Sequence, residues 1–484
     1  MKRFCAVLLC AVFLAFSVLP AAAAEPDTIG RISCCVFGDG KTGRGFCWFT
    51  RQPGGTDLEL VKTADFDGDF SNALCYSGEA KRYRDRYSHQ VAVTDLEPGT
   101  AYVYRVGDRT NGLWSNVCSF RTDDGDEAFS FLAIADVQAG SIKDFRHAAE
   151  TLRSGLALVP EADFVVNLGD YVNDNTNAEW DAYAEAFAFA NETTTAVPVA
   201  GNHDGNITNK FNTNCFENTF CLDRSANRSL EGVYYSFDYG NAHFAVLNSN
   251  DMYPMSQAQK NWLCNDMSNS AAVWKILLLH RSPYAAGKNI NKPDTIIMRN
   301  TLLPLIDKLD IDLVLSGHDH MYLRTAPLRG ERRAENVAFV KETFSGETVT
   351  FAVDPAGTYY AMPSTAGVKR YSINRNAIDP ILRSAETIAS TREAGGCFAA
   401  VAVEANRLVY RAFTVDDNTN ERTLIDAFAV KKTAAKETAG THLDQSLVSS
   451  VAAWPVNLAV ALAGMLVSYL KLLVQVVTRA AANG

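Results

Sequence analysis

Five short apolar segments in the middle of this 484-residue chain each end in polar residues that can bind a metal ion or transfer a proton. Apolar runs of this length, followed by small or turn-forming residues, predict buried β-strands. Ligands of open α/β sheets bind at the carboxyl ends of the strands, so we expect the five ends to share one sheet edge. The segments are FSFLAIAD, which ends at Asp136; ADFVVNLGD, at Asp170; TAVPVAGNHD, at Asn202, His203 and Asp204; WKILLLH, at His280; and IDLVLSGHDH, at His318 and His320.

Two histidines of the last segment, His318 and His320, flank Asp319. Along an extended chain, residues i and i+2 project the same way, so the two imidazoles can face one point while Asp319 faces another. A metal ion is the usual reason for two neutral imidazoles to converge. Alone, this motif fits a pair of surface or capping histidines as well as it fits a metal site. The other four segments favour the metal site.

Length and charge exclude several classes of protein. A chain of 484 residues is too long for one ordinary core, so we expect two domains with appendages. The net charge of -10 and the pI near 5.4 argue against a nucleic-acid-binding protein, which needs a basic face to meet phosphates. With 47% hydrophobic residues, disorder over the whole chain is not expected.

Both ends of the chain differ from its middle. Residues 1–24 place basic residues before an apolar run and small residues, which predicts a signal peptide and therefore export to the cell surface or beyond it. Export permits disulfides, and Cys215 and Cys221 are close enough in one loop to pair. After a spacer over residues 431–450, the hydrophobic segment 451–477 is long enough to span a bilayer. It is interpreted as a membrane helix, with an amphipathic helix docked on the protein as the alternative.

Residues 25–122 contain short β-branched or aromatic runs separated by turns. In the segment AYVYRVGD, Tyr102, Tyr104 and Val106 fall on one face of the predicted strand. Repeated short strands at this spacing favour a β-sandwich. The sequence LEPGTAYVYRVGD, followed by Trp114-Ser115 and FRT, resembles the fibronectin type III-like N-terminal domain of purple acid phosphatases.

The ordered blocks D-x-Q, G-D-Y-V-N-D, G-N-H-D, L-L-H and G-H-D-H resemble the calcineurin-like metallophosphoesterases. The resemblance covers residues 128–430 and, with the N-terminal sandwich, most of the chain between its two ends. It implies a β-sandwich followed by a four-layer α/β/β/α domain. Its specificity is high because the spacing, the order and the strand context of the blocks agree.

The resemblance also implies roles for the residues of these blocks. Two divalent ions would bind between them, clamp a phosphoryl group and lower the pKa of a bound water, with His203 assisting the leaving group. Arg281 is a candidate to bind the phosphate, although exposed arginines are commonly only solvated. The implied ligands are Asp170 as the bridge, Asp136 and His320 at one ion, and Asn202, His280 and His318 at the other, with Asp204 orienting His203.

Two residues depart from the pattern of the purple enzymes. Gln138 replaces a glycine of their first block, and Asn173 replaces their metal-binding tyrosine, since Tyr171 is out of register. Without a phenolate, a purple Fe(III)-tyrosinate centre is not expected, and two divalent ions such as Mn, Zn or Fe fit the ligand set better. Gln138 is itself a further candidate ligand through its amide oxygen.

The favoured function is therefore a secreted dimetal phosphoesterase that hydrolyses small phosphate esters, above all phosphomonoesters, in the manner of an acid phosphatase. A nucleotidase or a phosphodiesterase is the enzymatic alternative, and a catalytically silent surface binding or adhesion protein is the alternative from another class. No nucleic-acid partner is expected, and a membrane is expected as a partner only through the C-terminal segment.

Three other features are interpreted as structural. His243 lies within an apolar strand and is expected to be a satisfied core histidine, and His147 is expected on the surface of a helix. Residues 329–350 are charged and polar and are expected to form a loop or an insertion.

Overall fold

The structure, a computed structural model, describes residues 28–433 apart from residues 206–213, 225–232, 252–254, 285, 290–291, 374–384 and 390–393. The signal peptide predicted over residues 1–24 and the hydrophobic segment 451–477 lie outside the described residues. Within the described part of the chain, no helix is both long enough and apolar enough to cross a membrane.

The first part of the chain is built from strands and one short 3₁₀ helix, Thr63–Asp65. The strands are β1 (Gly30–Val36), β2 (Gly38–Asp39), β3 (Arg44–Thr50), β4 (Asp57–Lys62), β5 (Leu74–Ser77), β6 (Glu79–Tyr83), β7 (Arg86–Val93), β8 (Ala101–Asp108), β9 (Leu113–Trp114) and β10 (Cys118–Arg121).

The second part alternates strands with helices and also contains the 3₁₀ helix Asn214–Asn218. Its helices are α1 (Ile142–Leu158), α2 (Asn177–Asn191), α3 (Gln257–Asn269) and α4 (Pro293–Lys308). Its strands are β11 (Ala128–Ile134), β12 (Phe164–Asn167), β13 (Thr195–Pro198), β14 (Tyr235–Tyr239), β15 (Ala242–Val246), β16 (Trp274–Arg281), β17 (Leu313–Gly317), β18 (Tyr322–Thr325), β19 (Leu328–Arg329), β20 (Arg332–Arg333), β21 (Ala338–Phe344), β22 (Glu347–Val353), β23 (Tyr359–Pro363), β24 (Ala385–Ala389), β25 (Gly396–Glu404), β26 (Arg407–Val415) and β27 (Arg422–Lys431).

The N-terminal strands form the predicted β-sandwich. One layer contains β1, β3, β7 and β6, and the other contains β10, β8, β4 and β5, with β9 beside β8. Tyr102, Tyr104 and Val106 alternate along β8 and are buried between the layers together with Phe46 and Trp48 of β3. The period-2 pattern read from the sequence is thus the core of this domain.

The sandwich and the following domain share one hydrogen-bonded sheet. The order of this twelve-stranded sheet is β21-β22-β27-β26-β25-β11-β12-β13-β1-β3-β7-β6, in which β1 lies parallel to β13 with Cys35 opposite Ala196. Side chains reinforce this junction: the buried Arg44 of β3 donates to Thr195 of β13, and Arg31 of β1 pairs with Asp181 of α2 at 2.8 Å. The two domains therefore have a continuous backbone connection through the sheet.

A second sheet faces the first and completes the four layers. Its order is β2-β14-β15-β16-β17-β23-β18-β24. Alternate residues of β16 point to different cores: Ile276 and Leu278 join the core shared with the first sheet, while Leu277 and Leu279 join the core shared with α3 and α4. Helices α1 and α2 pack on the first sheet. The predicted α/β/β/α arrangement is confirmed.

Helices α1, α2 and α3 begin at side chains that cap their free N–H groups. Ser141 accepts from the N–H of Asp144 at the start of α1, and Thr176 with Glu179 forms a capping box at the start of α2. These caps fix where the chain turns from the strand ends into the helices, which keeps the strand-end residues in place.

The prediction of a loop over residues 329–350 is wrong. The region holds two hairpins, β19–β20 and β21–β22, and β22 lies parallel to β27 and extends the large sheet. Phe344 and Phe351 pack on Val409 and Ala429, while Lys341 and Glu347 are exposed to water and the half-buried Glu342 pairs with Lys431. An edge hairpin needs only one apolar face, so its polar composition concealed the strands.

Three residues outside the strand ends have defined surroundings. His147 of α1 is partly exposed and lies 3.1 Å from Asp417. The buried Cys221 is a free thiol, so the suggested pairing with Cys215 is not observed. His243 of β15 is buried and lies 2.8 Å from both Asp238 and Asp266, which confirms a satisfied structural histidine.

The two carboxylates make the stability contribution of His243 dependent on pH. Burial alone lowers the pKa of His243, but Asp238 and Asp266 outweigh it and raise the pKa to about 9. Because the folded-state pKa lies above the unfolded value, this contribution is complete below the unfolded pKa and is lost as the pH rises through about 9. It amounts to roughly 2 kcal/mol, less than the full shift implies, since the largely exposed Asp238 is screened by water.

We expect His243→Gln to lower the melting temperature more at pH 6 than at pH 10, by about 1 °C per kcal/mol lost for a unit of roughly 400 residues. Thermal unfolding of both proteins followed by circular dichroism measures this difference. An equal loss at both pH values would show that shape, rather than charge, is what His243 contributes.

Candidate metal-binding site

The structure brings the six predicted ligands together at one edge of the two facing sheets. Asp136 follows β11, Asp170 follows β12, Asn202 follows β13, His280 lies near the end of β16, and His318 and His320 follow β17. Ligand atoms of Asp170, His280 and His318 lie within 4.8 Å of one another, and so do those of Asp136, Asp170 and His320. Asp170 belongs to both groups.

Four of these ligands occupy tight turns with left-handed backbone angles. The φ angles are 53° at Asp136, 56° at Asp170, 80° at His318 and 48° at His320. Non-glycine residues rarely adopt such angles, and they concentrate at functional sites. Each turn leaves the end of a strand and directs a side chain toward the same point. The local strain therefore coincides with the cluster of ligands.

The first group contains Asp136 and His320. The carboxylate oxygens of Asp136 accept from the N–H of His318 at 3.0 and 2.9 Å, which fixes the carboxylate against the last turn. Nδ1 of His320 donates to the carbonyl of Lys369. Its Nε2 therefore faces Asp136, 3.3 Å from Oδ1.

The second group surrounds Nε2 of His280. This atom lies 3.2 Å from Oδ2 of Asp170, 3.3 Å from Oδ1 of Asn202 and 3.3 Å from Nδ1 of His318. The other ring nitrogen of His280 donates to the carbonyl of Leu168 at 2.8 Å, so the orientation of the imidazole is fixed. Such a partner on the second nitrogen is the usual support of a metal-binding histidine.

Charge within the site follows from burial and from the shared carboxylate. Burial alone lowers the pKa of His280, but Asp170 outweighs it and raises the pKa above its ordinary value. For His318, burial and the neighbouring His280 and Arg281 keep the pKa well below its ordinary value. His318 therefore presents a lone pair to the group, and His280 lies where a cation is favourable.

This donor set fits divalent metal ions. Carboxylate and amide oxygens combined with imidazoles suit first-row ions such as Mn²⁺, Zn²⁺ and Fe²⁺. Within the described residues, two buried polar atoms at the site have no hydrogen-bond partner, Nε2 of His318 and Oε1 of Gln138. Buried polar atoms are seldom left without a partner unless an ion or a water completes them.

His203 lies beside the shared carboxylate, but its ring has partners that the sequence did not predict. Its N–H donates to Oδ1 of Asp170 at 2.7 Å. Ring Nδ1 lies 2.6 Å from the carbonyl of Asn173, which can only accept, so Nδ1 carries a proton. Ring Nε2 lies 2.7 Å from the amide nitrogen of Gln138. The amide of Gln138 thus faces His203.

The expectation that Asp204 orients the ring of His203 needs correction. The buried carboxylate of Asp204 accepts from the backbone N–H groups of Gly201, Asp170 and Tyr171 at 2.8–2.9 Å. It ties together the loops after β12 and β13. A side chain at Gly201 would lie 2.1 Å from the N of Asp170, so only glycine allows these loops to approach so closely.

Arg281, the candidate phosphate ligand, and Tyr171, which was excluded as a ligand, both have defined surroundings. Arg281 is largely buried, and its Nη1 lies 2.8 Å from Asp294. Tyr171 points away from the ligands into an aromatic core with Trp180 and Phe220, in agreement with its being out of register.

Two features of the site were not predicted. The carbonyl of Asn173 that holds His203 is a backbone group. Every residue has such a carbonyl, so the amino-acid type at position 173 could not predict this contact. The loop 286–289 is held to Asp319, whose carboxylate accepts from Gly287 at 2.6 Å and from Asn289 at 2.9 Å. The only sequence signal for this loop was the inference that Asp319 faces away from the ligand histidines.

Comparison with known proteins agrees with this geometry. Residues 129–322 match the model for the calcineurin-like phosphoesterase family, and residues 35–122 match the model for the purple acid phosphatase N-terminal domain. Purple acid phosphatase 15 of Arabidopsis thaliana is 22% identical over 329 residues, which cover 62% of this chain and 57% of the relative. An uncharacterized protein of Mycobacterium tuberculosis is 25% identical over 298 residues, covering 52% of this chain and 54% of the relative.

A solved structure shares most of the fold. Purple acid phosphatase PPD1 from yellow lupin (Lupinus luteus) seeds superposes with a TM-score of 0.69 at 15% identity, covering 84% of this chain and 75% of that chain. The chain spans about half the length of the curated relatives that it matches. At this identity the superposition establishes the fold.

Because Asp170 is shared, its loss should affect both groups of ligands. We expect Asp170→Asn to weaken binding at both positions by at least about 10- to 100-fold, since a direct ligand contributes no less than an outer-shell partner. Asp136→Asn should reduce the metal content by about one ion, because Asp136 belongs to one group only. Metal analysis after equilibration with Mn²⁺ and dialysis measures both contents, and circular dichroism checks folding. Full metal content in folded Asp170→Asn would contradict the shared role.

Proposed function

From a chain that carries a calcineurin-like phosphoesterase domain behind a purple acid phosphatase N-terminal domain, we propose a metal-dependent phosphoric ester hydrolase. The observation that carries this proposal is the gathering of Asp136, His280, His318 and His320 around the carboxylate of Asp170, with Asn202 beside His280 and His203 beside Asp170. A binding protein that has lost turnover would have no need for this complete set.

Two divalent ions would be held here, by Asp136 and His320 on one side, by Asn202, His280 and His318 on the other, and by Asp170 between them. When bound, they supply an activated water and neutralise charge on the phosphoryl oxygens. Mn, Zn and Fe all fit the donor set, and the metal analysis of purified protein identifies which one it binds. Gln138 faces His203 and is proposed as a partner of that ring rather than as a primary ligand.

The chain's own contribution to bond cleavage is assigned to His203. Hydrolysis joins a water oxygen to phosphorus and breaks the bond to the ester oxygen, which then needs a proton. With Nδ1 held by the carbonyl of Asn173, Nε2 is the ring atom that would face the ester oxygen once the substrate displaces the amide of Gln138. Nε2 accepts from that amide, so it would first take a proton from solvent and then give it to the leaving oxygen. Asp204 acts indirectly, by holding the loop that carries His203.

Phosphomonoesters are the proposed substrates, since the plant proteins that the chain resembles are named phosphatases. A nucleotidase or a phosphodiesterase would use the same ligands. Arg281 is proposed to act through the field of its charge, because its Nη1 is already bonded to Asp294.

Replacing His203 with Ala separates proton transfer from metal binding. We expect kcat on an alkyl phosphate to fall by about 100-fold or more, and kcat on 4-nitrophenyl phosphate to fall much less, because that leaving group hardly needs a proton. Phosphate release measures both rates, and the metal content should stay near that of the wild type. An equal loss on both esters would remove proton donation from the role of His203.

We also propose that the protein is exported and held at a membrane by residues 451–477, on the evidence of the sequence alone. The full-length protein should stay in the membrane fraction through a high-salt wash and be released by detergent, whereas a chain ending at Asp444 should be recovered in the supernatant with its activity. Release by salt would instead indicate an amphipathic helix at the membrane surface.

A further inference from the structure

A tyrosine and a lysine lie next to the metal ligand His320. The ring of Tyr371 stacks on the imidazole of His320, with the centroids 4.3 Å apart and the planes at 21°. The ammonium of Lys288 lies over the ring of Tyr371, 3.8 Å from its centroid. A cation over an aromatic face is attracted by the ring, so Tyr371 holds the lysine beside the ligand cluster.

The loop that carries Lys288 is fastened to the same motif. The carboxylate of Asp319 accepts from the N–H groups of Ala286 and Gly287 at 3.1 and 2.6 Å, and from the amide of Asn289 at 2.9 Å. Asp319 lies between the two ligand histidines in sequence. The backbone of the loop at Lys288 is therefore placed by a buried carboxylate, and the contact with Tyr371 places the ammonium.

Positive charges gather at this side of the site. The N–H of Lys292 donates to the carbonyl of Asn289 at 3.1 Å, which places Lys292 next to the loop that carries Lys288. In agreement with this, partial burial, Lys288 and Arg281 lower the pKa of Lys292, and Asp319 opposes them. Arg281 is paired with Asp294. Lys288 and Lys292 are exposed, and among the described residues neither forms a salt bridge.

The nearby carboxylates do not balance the two lysines, because Asp294 is paired with Arg281 and Asp319 accepts from the N–H groups of the loop. Like charges at close range repel, and two bound divalent ions would make the neighbourhood still more positive. One phosphoryl group at the ligand cluster offsets part of that charge. A second anionic group, placed over Lys288 and Lys292, would offset the rest and would gain two charge-assisted contacts.

We propose that Lys288 and Lys292, with Tyr371, form a subsite for a second phosphate group, so that the preferred substrates are small esters with at least two phosphates. This inference rests on the proposed function, since it places the scissile phosphate at Asp170 and its neighbours. Lys288 and Lys292 are specificity-determining residues in this view, and neither touches the reacting atoms.

Two competitive inhibitors of 4-nitrophenyl phosphate hydrolysis test the subsite. Methylphosphonate carries one phosphoryl group, and methylenediphosphonate carries two that the enzyme cannot separate. In Lys288→Met, which keeps the length of the side chain and removes its charge, the inhibition constant of the diphosphonate should rise about fivefold more than that of the monophosphonate. Lys292→Met should act in the same direction.

The matched control is Lys308→Met. Lys308 is an exposed lysine at the other end of α4, about 24 Å along the helix axis from Lys292, and its loss should leave both inhibition constants as in the wild type. Equal effects of Lys288→Met on the two inhibitors, or no effect on either, would overturn the subsite.

The outcome for the subsite can be separated from the outcome for the proposed function. If the wild-type protein hydrolyses no ester, the proposed function fails, and the subsite is then tested by calorimetric titration of the Mn²⁺-equilibrated protein with the two phosphonates. A preference for the diphosphonate that disappears in Lys288→Met supports the subsite without any turnover. Binding of both with equal affinity, or of neither, contradicts it.

Discussion

The carboxylate of Asp170 is the interaction on which the rest of the site depends. One oxygen accepts the N–H of His203, and the other faces Nε2 of His280. Its own backbone N–H is held by Asp204, so the position of the carboxylate is fixed from the chain as well as from its neighbours. The Asp170 carboxylate belongs to both clusters of ligands and also holds His203. A shift of this carboxylate would therefore disturb both clusters and His203 together.

The sequence allowed the ligands to be predicted because each of them follows an apolar strand, and strand ends converge by topology. The hydrogen-bond partners of side chains were harder to predict from the sequence, and Asp204 is an example. Its place in the G-N-H-D block suggested an effect on the neighbouring ring, whereas its oxygens bind backbone groups of two loops. Residue order indicates which sheet edge a side chain reaches, but several partners compete for it there, and only the folded geometry decides between them.

The same limit explains the hairpins of residues 329–350 and the lysines at the site. A strand at the edge of a sheet needs only one apolar face, so Phe344 and Phe351 lie among polar and charged residues. The average composition of the region therefore gave no sign of strands. Lys288 lies more than thirty positions before His320 in the chain and reaches it through the loop tied to Asp319. The contact of Lys288 with the site depends on Asp319 and Tyr371, and a contact made through other residues produces no periodic pattern in the sequence.

The twelve-stranded sheet from β21 to β6 contains strands of both domains and joins them into one structural unit. The two family models divide the chain near residue 122, yet β1 and β13 are hydrogen-bonded neighbours, and Cys35 and Val36 belong to the core of the second unit. If the first unit were removed, the open edge of β13 and the apolar surface of α2 would meet water. The boundary between the two family matches therefore does not divide the protein into two independently folding units. The two units are expected to unfold in one cooperative transition.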